Sequence, residues 1–148
     1  MSAYLLDVNV LVATAWPQHS AHVAVQKWLA RHADEGWATC PFTETGFVRI
    51  ISNPAFSKDA LSLKQALSLL AANLARPRHE FWPDTLTLNE ALTKVAVITG
   101  HNQITDAYLL GLAISRKGIL VTLDKSAASL VAGMAYDMMP IVVIKNDK

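Results

Sequence analysis

Four acidic residues stand alone in otherwise uncharged stretches of the chain, and they are Asp7, Glu44, Asp106 and Asp124. Asp7 is the only Asp, Glu, Lys or Arg between residues 1 and 26, and Asp106 is the only one between residues 95 and 115. An ionised carboxylate is costly to bury unless it is paired or binds a metal. Because the chain around Asp7 and Asp106 supplies no cation, one shared metal ion would stabilise several of these groups together.

The elements expected around these acids would bring them to one place. Asp7 and Asp124 each follow an apolar run typical of a buried strand, whereas Glu44 and Asp106 fall near predicted helix starts. In a parallel sheet, the carboxyl ends of strands and the N-termini of the following helices share one edge. Converging carboxylates select a hard divalent ion, Mg²⁺ or Mn²⁺. The alternative is that Asp7 and Asp124 only cap helices and that Asp106 only favours its helix dipole.

Strands and helices alternate along the predicted chain. The apolar patterns predict strands at residues 3–6, 37–39, 79–82, 119–123 and 141–144. They predict helices at about residues 8–16, 20–33, 43–51, 62–75, 86–98, 105–117 and 126–132. Strands that are apolar throughout and alternate with helices indicate a parallel sheet covered on both faces. The predicted fold is therefore an α/β/α three-layer sandwich, and residues 1–148 are interpreted as a single domain because no repeat or linker interrupts them.

The composition limits the class of protein. The 148 residues carry a formal charge of +1, with 52% hydrophobic and 17% charged residues. These fractions exclude a disordered tail or a coiled coil, and the near-neutral charge argues against indiscriminate binding of nucleic acid. So little charge beside so many apolar residues predicts that a partner or a second copy covers part of the surface. We expect a homodimer.

The cysteine count and the apolar runs bear on the compartment. The single cysteine, Cys40, cannot form an internal disulfide, which favours a reducing compartment. Asp7 interrupts the first apolar run, no positive segment precedes it, and no uninterrupted apolar run is long enough for a transmembrane helix. We therefore expect no signal peptide, no membrane span and a cytoplasmic location.

Four segments, in this order, resemble the motifs of a known family. The segments LLDVNVL, TETGFVR, ITDAYLL and VTLD occupy residues 5–11, 43–49, 104–110 and 121–124. They are similar to the four motifs of the PIN-domain ribonucleases, and in particular to the VapC-type toxins of bacterial toxin–antitoxin modules. Each motif alone is weak, but the ordered set covers almost the whole chain.

The resemblance implies a PIN-like sandwich, endonucleolytic cleavage of RNA that depends on Mg²⁺ or Mn²⁺, and neutralisation by a cognate antitoxin. It makes Asp7, Glu44, Asp106 and Asp124 the catalytic acids, with Asp7, Asp106 and Asp124 as metal ligands. It makes Asn9 the residue that orients Asp7, and Thr122 the hydroxyl residue that precedes the last acid.

RNA must also be held by its phosphates, and an acidic pocket alone would repel it. Arg49, about one turn after Glu44, and Lys125, beside Asp124, are the nearest cations to the predicted edge. They are the candidate substrate-binding residues, because Lys and Arg side chains neutralise phosphate charge.

Two other functions remain open from the sequence. The first is an Mg²⁺-dependent phosphatase of the haloacid-dehalogenase type, in which an aspartate after the first strand is the nucleophile. That chemistry uses an Asp-x-Asp motif, in which the second acid protonates the leaving group. This chain has Asn9 at the position of the second acid, and an amide cannot do that. The second is a non-catalytic antitoxin-binding protein, in which the four acids only cap or solvate helices.

Overall fold

A five-stranded parallel sheet forms the centre of the computed structural model, which describes residues 3–95, 98–133 and 139–146. Its strands are β1 (Tyr4–Leu6), β2 (Trp37–Thr39), β3 (His79–Phe81), β4 (Ile119–Thr122) and β5 (Ile141–Val143). The strand order is β3-β2-β1-β4-β5, and every neighbouring pair is parallel. The strands are short, and β1, β2 and β4 are almost wholly buried.

Helices cover both faces of the sheet. The described α-helices are α1 (Val8–Ala15), α2 (His22–Arg31), α3 (Pro41–Ile51), α4 (Leu63–Leu74), α5 (Leu88–Leu92) and α6 (Ile104–Ser115). Short 3₁₀ segments occur at His101–Gln103 and Lys125–Val131. Helices α1 to α4 pack on one face and α5 and α6 on the other, so the α/β/α sandwich predicted from the sequence is confirmed.

Neighbouring residues of β1 belong to different cores. Leu5 packs with the α5 and α6 side, and Leu6 packs with the α1 to α4 side; both are fully buried. Successive side chains of a strand point to opposite faces. Two covered faces therefore require an apolar residue at every position, which explains why the strands are apolar throughout rather than alternating.

The strand order changes direction at β1. The chain runs from β1 to β2 and β3 on one side, and then returns to place β4 and β5 on the other. Leu6 of β1 is in register with Val121 of β4, so these two strands end side by side. In open parallel sheets, binding sites form at the carboxyl edge where the strand order reverses.

Several predicted helix boundaries were wrong. Helix α5 covers only Leu88–Leu92 of the predicted residues 86–98, and residues 96–97 lie outside the described part. Thr87 caps its start, and the hydroxyl of Thr93, the residue after its last turn, donates a hydrogen bond to the carbonyl of Glu90. Helix α3 begins two residues earlier than predicted, because Pro41 occupies its first turn, where a missing N–H costs nothing.

Two glycines allow helices to approach closely. A Cβ at Gly46 of α3 would lie 2.6 Å from Cγ2 of Val8, the first residue of α1. A Cβ at Gly111 of α6 would collide with the backbone of Ala91 in α5. A larger residue at either position would therefore force the two helices apart.

Across the three described ranges, no helix combines the length and the apolar character needed to cross a bilayer.

Candidate active site

Asp7 lies at the junction between β1 and α1, at the carboxyl edge of the sheet. Its side chain caps α1, with Oδ1 accepting a hydrogen bond from the Val8 amide at 2.7 Å. Its other oxygen, Oδ2, accepts a hydrogen bond of 2.7 Å from the hydroxyl of Thr122. The side chain is only 6% exposed, and this burial raises the pKa of Asp7, an effect that the Asp124 charge reinforces and the two hydrogen bonds oppose.

Thr122 connects the ends of the two central strands. It is the last residue of β4 and is fully buried, and its hydroxyl donates to Asp7 while accepting a hydrogen bond of 3.1 Å from the Asp124 amide. Asp124 in turn caps the following 3₁₀ segment, with Oδ1 accepting from the amide and the hydroxyl of Ser126. One hydroxyl thus fixes the carboxylate after β1 and the backbone after β4.

Asp106 approaches the same edge from the first turn of α6. Burial, followed by the charges of Asp7 and Asp124, raises the pKa of Asp106 to about 6. A contribution from other carboxylates is what neighbouring acids at one edge of the sheet would produce. That Asp7, Glu44, Asp106 and Asp124 converge on one metal site stays a prediction.

The three aspartates fit a hard divalent cation by donor type and by charge. Carboxylate oxygens are the preferred ligands of Mg²⁺, and a positive ion would offset the repulsion that raises the pKa of Asp106. Within the described residues, however, no three His, Cys, Asp or Glu side chains form a group ready to hold a metal. Mg²⁺ keeps several waters and commonly takes only one or two carboxylates, so it does not require a closed cage.

Glu44 lies in the first turn of α3 and has hydrogen-bond partners of its own. Its Oε2 accepts a hydrogen bond of 2.8 Å from the hydroxyl of Thr39, the last residue of β2. The same hydroxyl lies 2.7 Å from Nε2 of His79 on β3. Burial lowers the pKa of His79, and the charges of Glu44 and Glu80 oppose that shift.

Asn9 and the two candidate phosphate-binding residues line pockets beside the acids. Asn9 is exposed on α1 and shares a pocket of about 450 Å³ with Lys125 and His19. Arg49 is exposed on α3 and shares a pocket of about 470 Å³ with Glu44 and with apolar residues of α4. The hydrogen bonds to Asp7 come from Val8 and Thr122, and the orienting role of Asn9 stays a prediction.

Thr39 and His79 were not predicted as site residues. Thr39 ends a buried strand just as Thr122 does, so the rule that pointed to the acids after β1 and β4 also applies to it. His79 gives no such signal, because its partner is 40 residues away in sequence and becomes a neighbour only when β2 and β3 pair.

Comparison with known proteins places the chain in a family. The PIN domain family matches residues 4–132. The chain is 42% identical over 133 residues to Ribonuclease VapC39 of Mycobacterium tuberculosis, which covers 88% of this chain and 95% of the relative. It is 43% identical over 126 residues to Ribonuclease VapC38 of the same species, covering 85% of this chain and 88% of the relative.

Solved structures show the same fold at low sequence identity. VapBC2 from Rickettsia felis, bound to a DNA fragment from its promoter, superposes with a TM-score of 0.66 at 16% identity and covers 97% of this chain and 99% of the other. DNA-bound VapBC from Salmonella typhimurium gives a TM-score of 0.62 at 10% identity, covering 98% of this chain and 100% of the other. The family match and the identity to the curated relatives together make the chain a member of the PIN-domain family and, within it, of the VapC-type ribonucleases.

Proposed function

We propose that this chain is an Mg²⁺- or Mn²⁺-dependent endoribonuclease that hydrolyses RNA phosphodiester bonds as the toxin of a type II toxin–antitoxin module. The observation that carries the proposal is the junction of β1 and β4, where the Thr122 hydroxyl binds both the Asp7 carboxylate and the Asp124 backbone amide. Burial, followed by the charges of Asp7 and Asp124, also raises the pKa of Asp106 to about 6. Carboxylates that come from three elements and repel one another are a recurring arrangement of catalytic and metal sites. Relatives at about 42% identity bear the name ribonuclease, which supports the substrate class.

Each acid has a distinct part in the proposed mechanism. Asp7, held by Thr122 and the Val8 amide, would be the fixed metal ligand, and Asp106 and Asp124 would complete the set. A divalent cation bound there would supply a nucleophilic water and offset charge on the phosphate. Glu44, anchored by Thr39, would orient water at the rim of the site.

Cations beside the acids would hold the RNA backbone. Lys125 and Arg49 are both exposed and line separate pockets, one shared with Asn9 and the other with Glu44. Lys125 lies directly after Asp124, so a phosphate contacting it would be near the proposed metal ligands. We expect both residues to act through phosphate charge, because base reading requires contacts to base edges instead.

Incubation of the purified protein with total RNA tests the proposal. We expect new RNA ends with Mg²⁺ or Mn²⁺, and none when a chelator is present. Asp7→Asn and Asp106→Asn should each reduce cleavage at least about 100-fold, whereas Asp59→Asn, an exposed loop variant, should cleave normally. Cleavage that persists in chelator or in Asp7→Asn would refute the assignment.

The same variants separate the two alternatives. A phosphatase of the haloacid-dehalogenase type would form a covalent aspartyl-phosphate on Asp7. Both oxygens of Asp7 accept hydrogen bonds, which holds the carboxylate in place and disfavours nucleophilic attack by it. A non-catalytic antitoxin-binding protein would produce no new RNA ends and no change of melting temperature with Mn²⁺.

We also propose two protein partners, a second copy of the chain and a cognate antitoxin. The solved structures with this fold are VapBC complexes, which supports the second. Leu63 and Leu67 of α4 are 61% and 50% exposed and line the pocket that contains Glu44 and Arg49. Apolar surface beside the site is thus available for a partner to cover.

A further inference from the structure

Three side chains from β2, α3 and β3 form a hydrogen-bonded chain outside the aspartate group. Thr39 is fully buried at its centre, with its hydroxyl oxygen 2.8 Å from Oε2 of Glu44 and 2.7 Å from Nε2 of His79. Both distances are near the optimum for such bonds. The cluster is therefore a connected network from β3 to the Glu44 carboxylate.

The direction of each hydrogen bond follows from the proton count. A carboxylate only accepts, and a threonine hydroxyl has one proton to donate. The proton of Thr39 therefore goes to Glu44, and a hydroxyl lone pair faces His79. Nε2 of His79 must then carry hydrogen, and it does so in both the neutral Nε2-protonated ring and the imidazolium ion.

Strand pairing fixes the position of the His79 ring. His79 lies opposite Trp37 in the register of β2 and β3, and the two rings are 4.7 Å apart in a tilted arrangement. Trp37 and Thr39 are two residues apart on β2, so they share one face of the sheet. The ring is thus held between a packing partner and its hydrogen-bond acceptor.

We propose that His79 is a positioning residue, which holds Glu44 in its working orientation through Thr39. The inference rests on the proposed nuclease function. Glutamate has a flexible side chain, so the hydroxyl that donates to Oε2 of Glu44 restricts where its carboxylate can point. In a polar network, one hydrogen bond polarises the next, so the His79 donor strengthens the bond from Thr39 to Glu44.

Side-chain length provides a matched pair of variants at position 79. The amide nitrogen of His79→Gln reaches the location of Nε2 and keeps a donor there, whereas that of His79→Asn reaches only the location of Nδ1. We expect His79→Gln to retain kcat within about threefold and His79→Asn to lose about 10- to 100-fold in kcat with little change in KM, as for other residues that orient an active-site group. Equal losses in both variants, or none in His79→Asn, would overturn the proposal.

Variants at Thr39 test whether the effect passes through the hydroxyl. Thr39→Ser keeps the donor, and Thr39→Val keeps the shape but removes it. We expect Thr39→Val to lose activity like His79→Asn, and the double variant to be no worse than Thr39→Val alone, because coupled residues are not additive. Additive losses would show that His79 acts by another route.

A spectrum of the unmodified protein provides a test independent of activity. Long-range ¹H–¹⁵N NMR of the imidazole should show His79 protonated at Nε2, and Thr39→Val should shift that signal. A neutral ring protonated at Nδ1 would overturn the proposal whatever the activity. Failure of the unmodified protein to cleave RNA would instead overturn the proposed nuclease function, so the two failures are distinguishable.

Discussion

At the scale of single residues, keeping the carboxylates of Asp7 and Asp106 ionised in the fold costs free energy. Asp7 is nearly buried and Asp106 is half-buried, and each lies near another carboxylate. Repulsion and desolvation both favour the protonated form, which is why the pKa of each is raised. The fold therefore holds negative charge at this edge that would be more stable in water.

This cost predicts a pH-dependent gain in stability for Asp106→Asn in metal-free protein. The pKa of Asp106 rises from 3.8 to about 6, so the folded protein holds the proton more tightly than the unfolded chain does. Its contribution to stability is then favourable below pH 4 and is lost as the pH rises through 6. Above that pH the ionised carboxylate destabilises the fold, and the neutral amide does not.

We expect Asp106→Asn to gain about 1 kcal/mol at pH 7.5 after allowance for solvent screening, which corresponds to a rise in Tm of about 2–4 °C. The gain should vanish below pH 4. Thermal melts with a chelator, from pH 3.5 to 7.5, measure both effects, and Asp59→Asn serves as the exposed control. An equal gain at every pH would contradict the electrostatic explanation.

The Thr122 hydroxyl gives a second prediction at this scale. Thr122→Val keeps the side-chain shape but removes the donor to Asp7, so we expect a loss of about 1–3 kcal/mol in stability and of about 10- to 100-fold in cleavage. Thr122→Ser retains the hydroxyl and should restore most of both. Denaturant unfolding and RNA cleavage assays check the pair, and wild-type behaviour of Thr122→Val would count against the role of this hydrogen bond.

Sequence spacing and the family resemblance pointed to the candidate acids and to Thr122, but not to the network that holds Glu44. Asp7 and Asp124 were visible because a lone charge after an apolar run is conspicuous. Thr39 stands at a strand end as they do, but His79 gives no signal in the sequence, and its contact with Thr39 depends on the pairing of β2 with β3. Hydrogen bonds between residues far apart in sequence cannot be inferred from local patterns.

At the scale of elements, the predicted bounds of α4 agree closely with the structure, whereas those of α5 do not. Ser62 and Gln65 form a reciprocal capping box at the start of α4, and the predicted range of 62–75 agrees with Leu63–Leu74. Residues 86–98 were predicted as one helix from apolar content alone. There, α5 spans only Leu88–Leu92, although Thr87 and Glu90 form a capping box at its start.

The α5–α6 contact predicts a strong effect of a single methyl group. Gly111→Ala places a Cβ against the backbone of Ala91, which cannot move as a flexible side chain does. We expect a loss of about 2–3 kcal/mol, since overpacking outweighs the roughly 1 kcal/mol gain in helix propensity. Gly100→Ala, with open space around the added atom, should change stability by less than about 0.5 kcal/mol. Equal denaturation midpoints for the two variants would contradict the close packing.

At the scale of the whole molecule, apolar side chains remain on the surface despite two filled cores. Among the residues that the structure describes, large hydrophobic side chains at least 38% exposed are Val23, Phe42, Phe56, Leu63, Leu67, Phe81, Leu88 and Met139. Scattered apolar residues are normal, but Leu63 and Leu67 adjoin each other on α4 beside a pocket.

This surface is the basis for the expected self-association. We expect analytical ultracentrifugation at micromolar concentrations to give a species of twice the 16.1 kDa chain mass. If α4 forms the contact, Leu67→Lys should shift the equilibrium to monomer, and Val23→Lys on α2 should not. A stable monomer at all concentrations would disprove the dimer. Dimers that persist in Leu67→Lys and dissociate in Val23→Lys would locate the contact on α2 instead.

The close approach of Gly46 to Val8 brings the segment that carries Glu44 against the segment that carries Asp7. Val8 directly follows Asp7, and Gly46 is two residues after Glu44, so the missing side chain at position 46 sets how near these two segments come. A bulkier residue at position 46 would move α3 away from the start of α1, although all four acidic residues would still be present in the sequence. Judging which homologous chains are active from their acidic residues alone would therefore misclassify those that have lost this glycine.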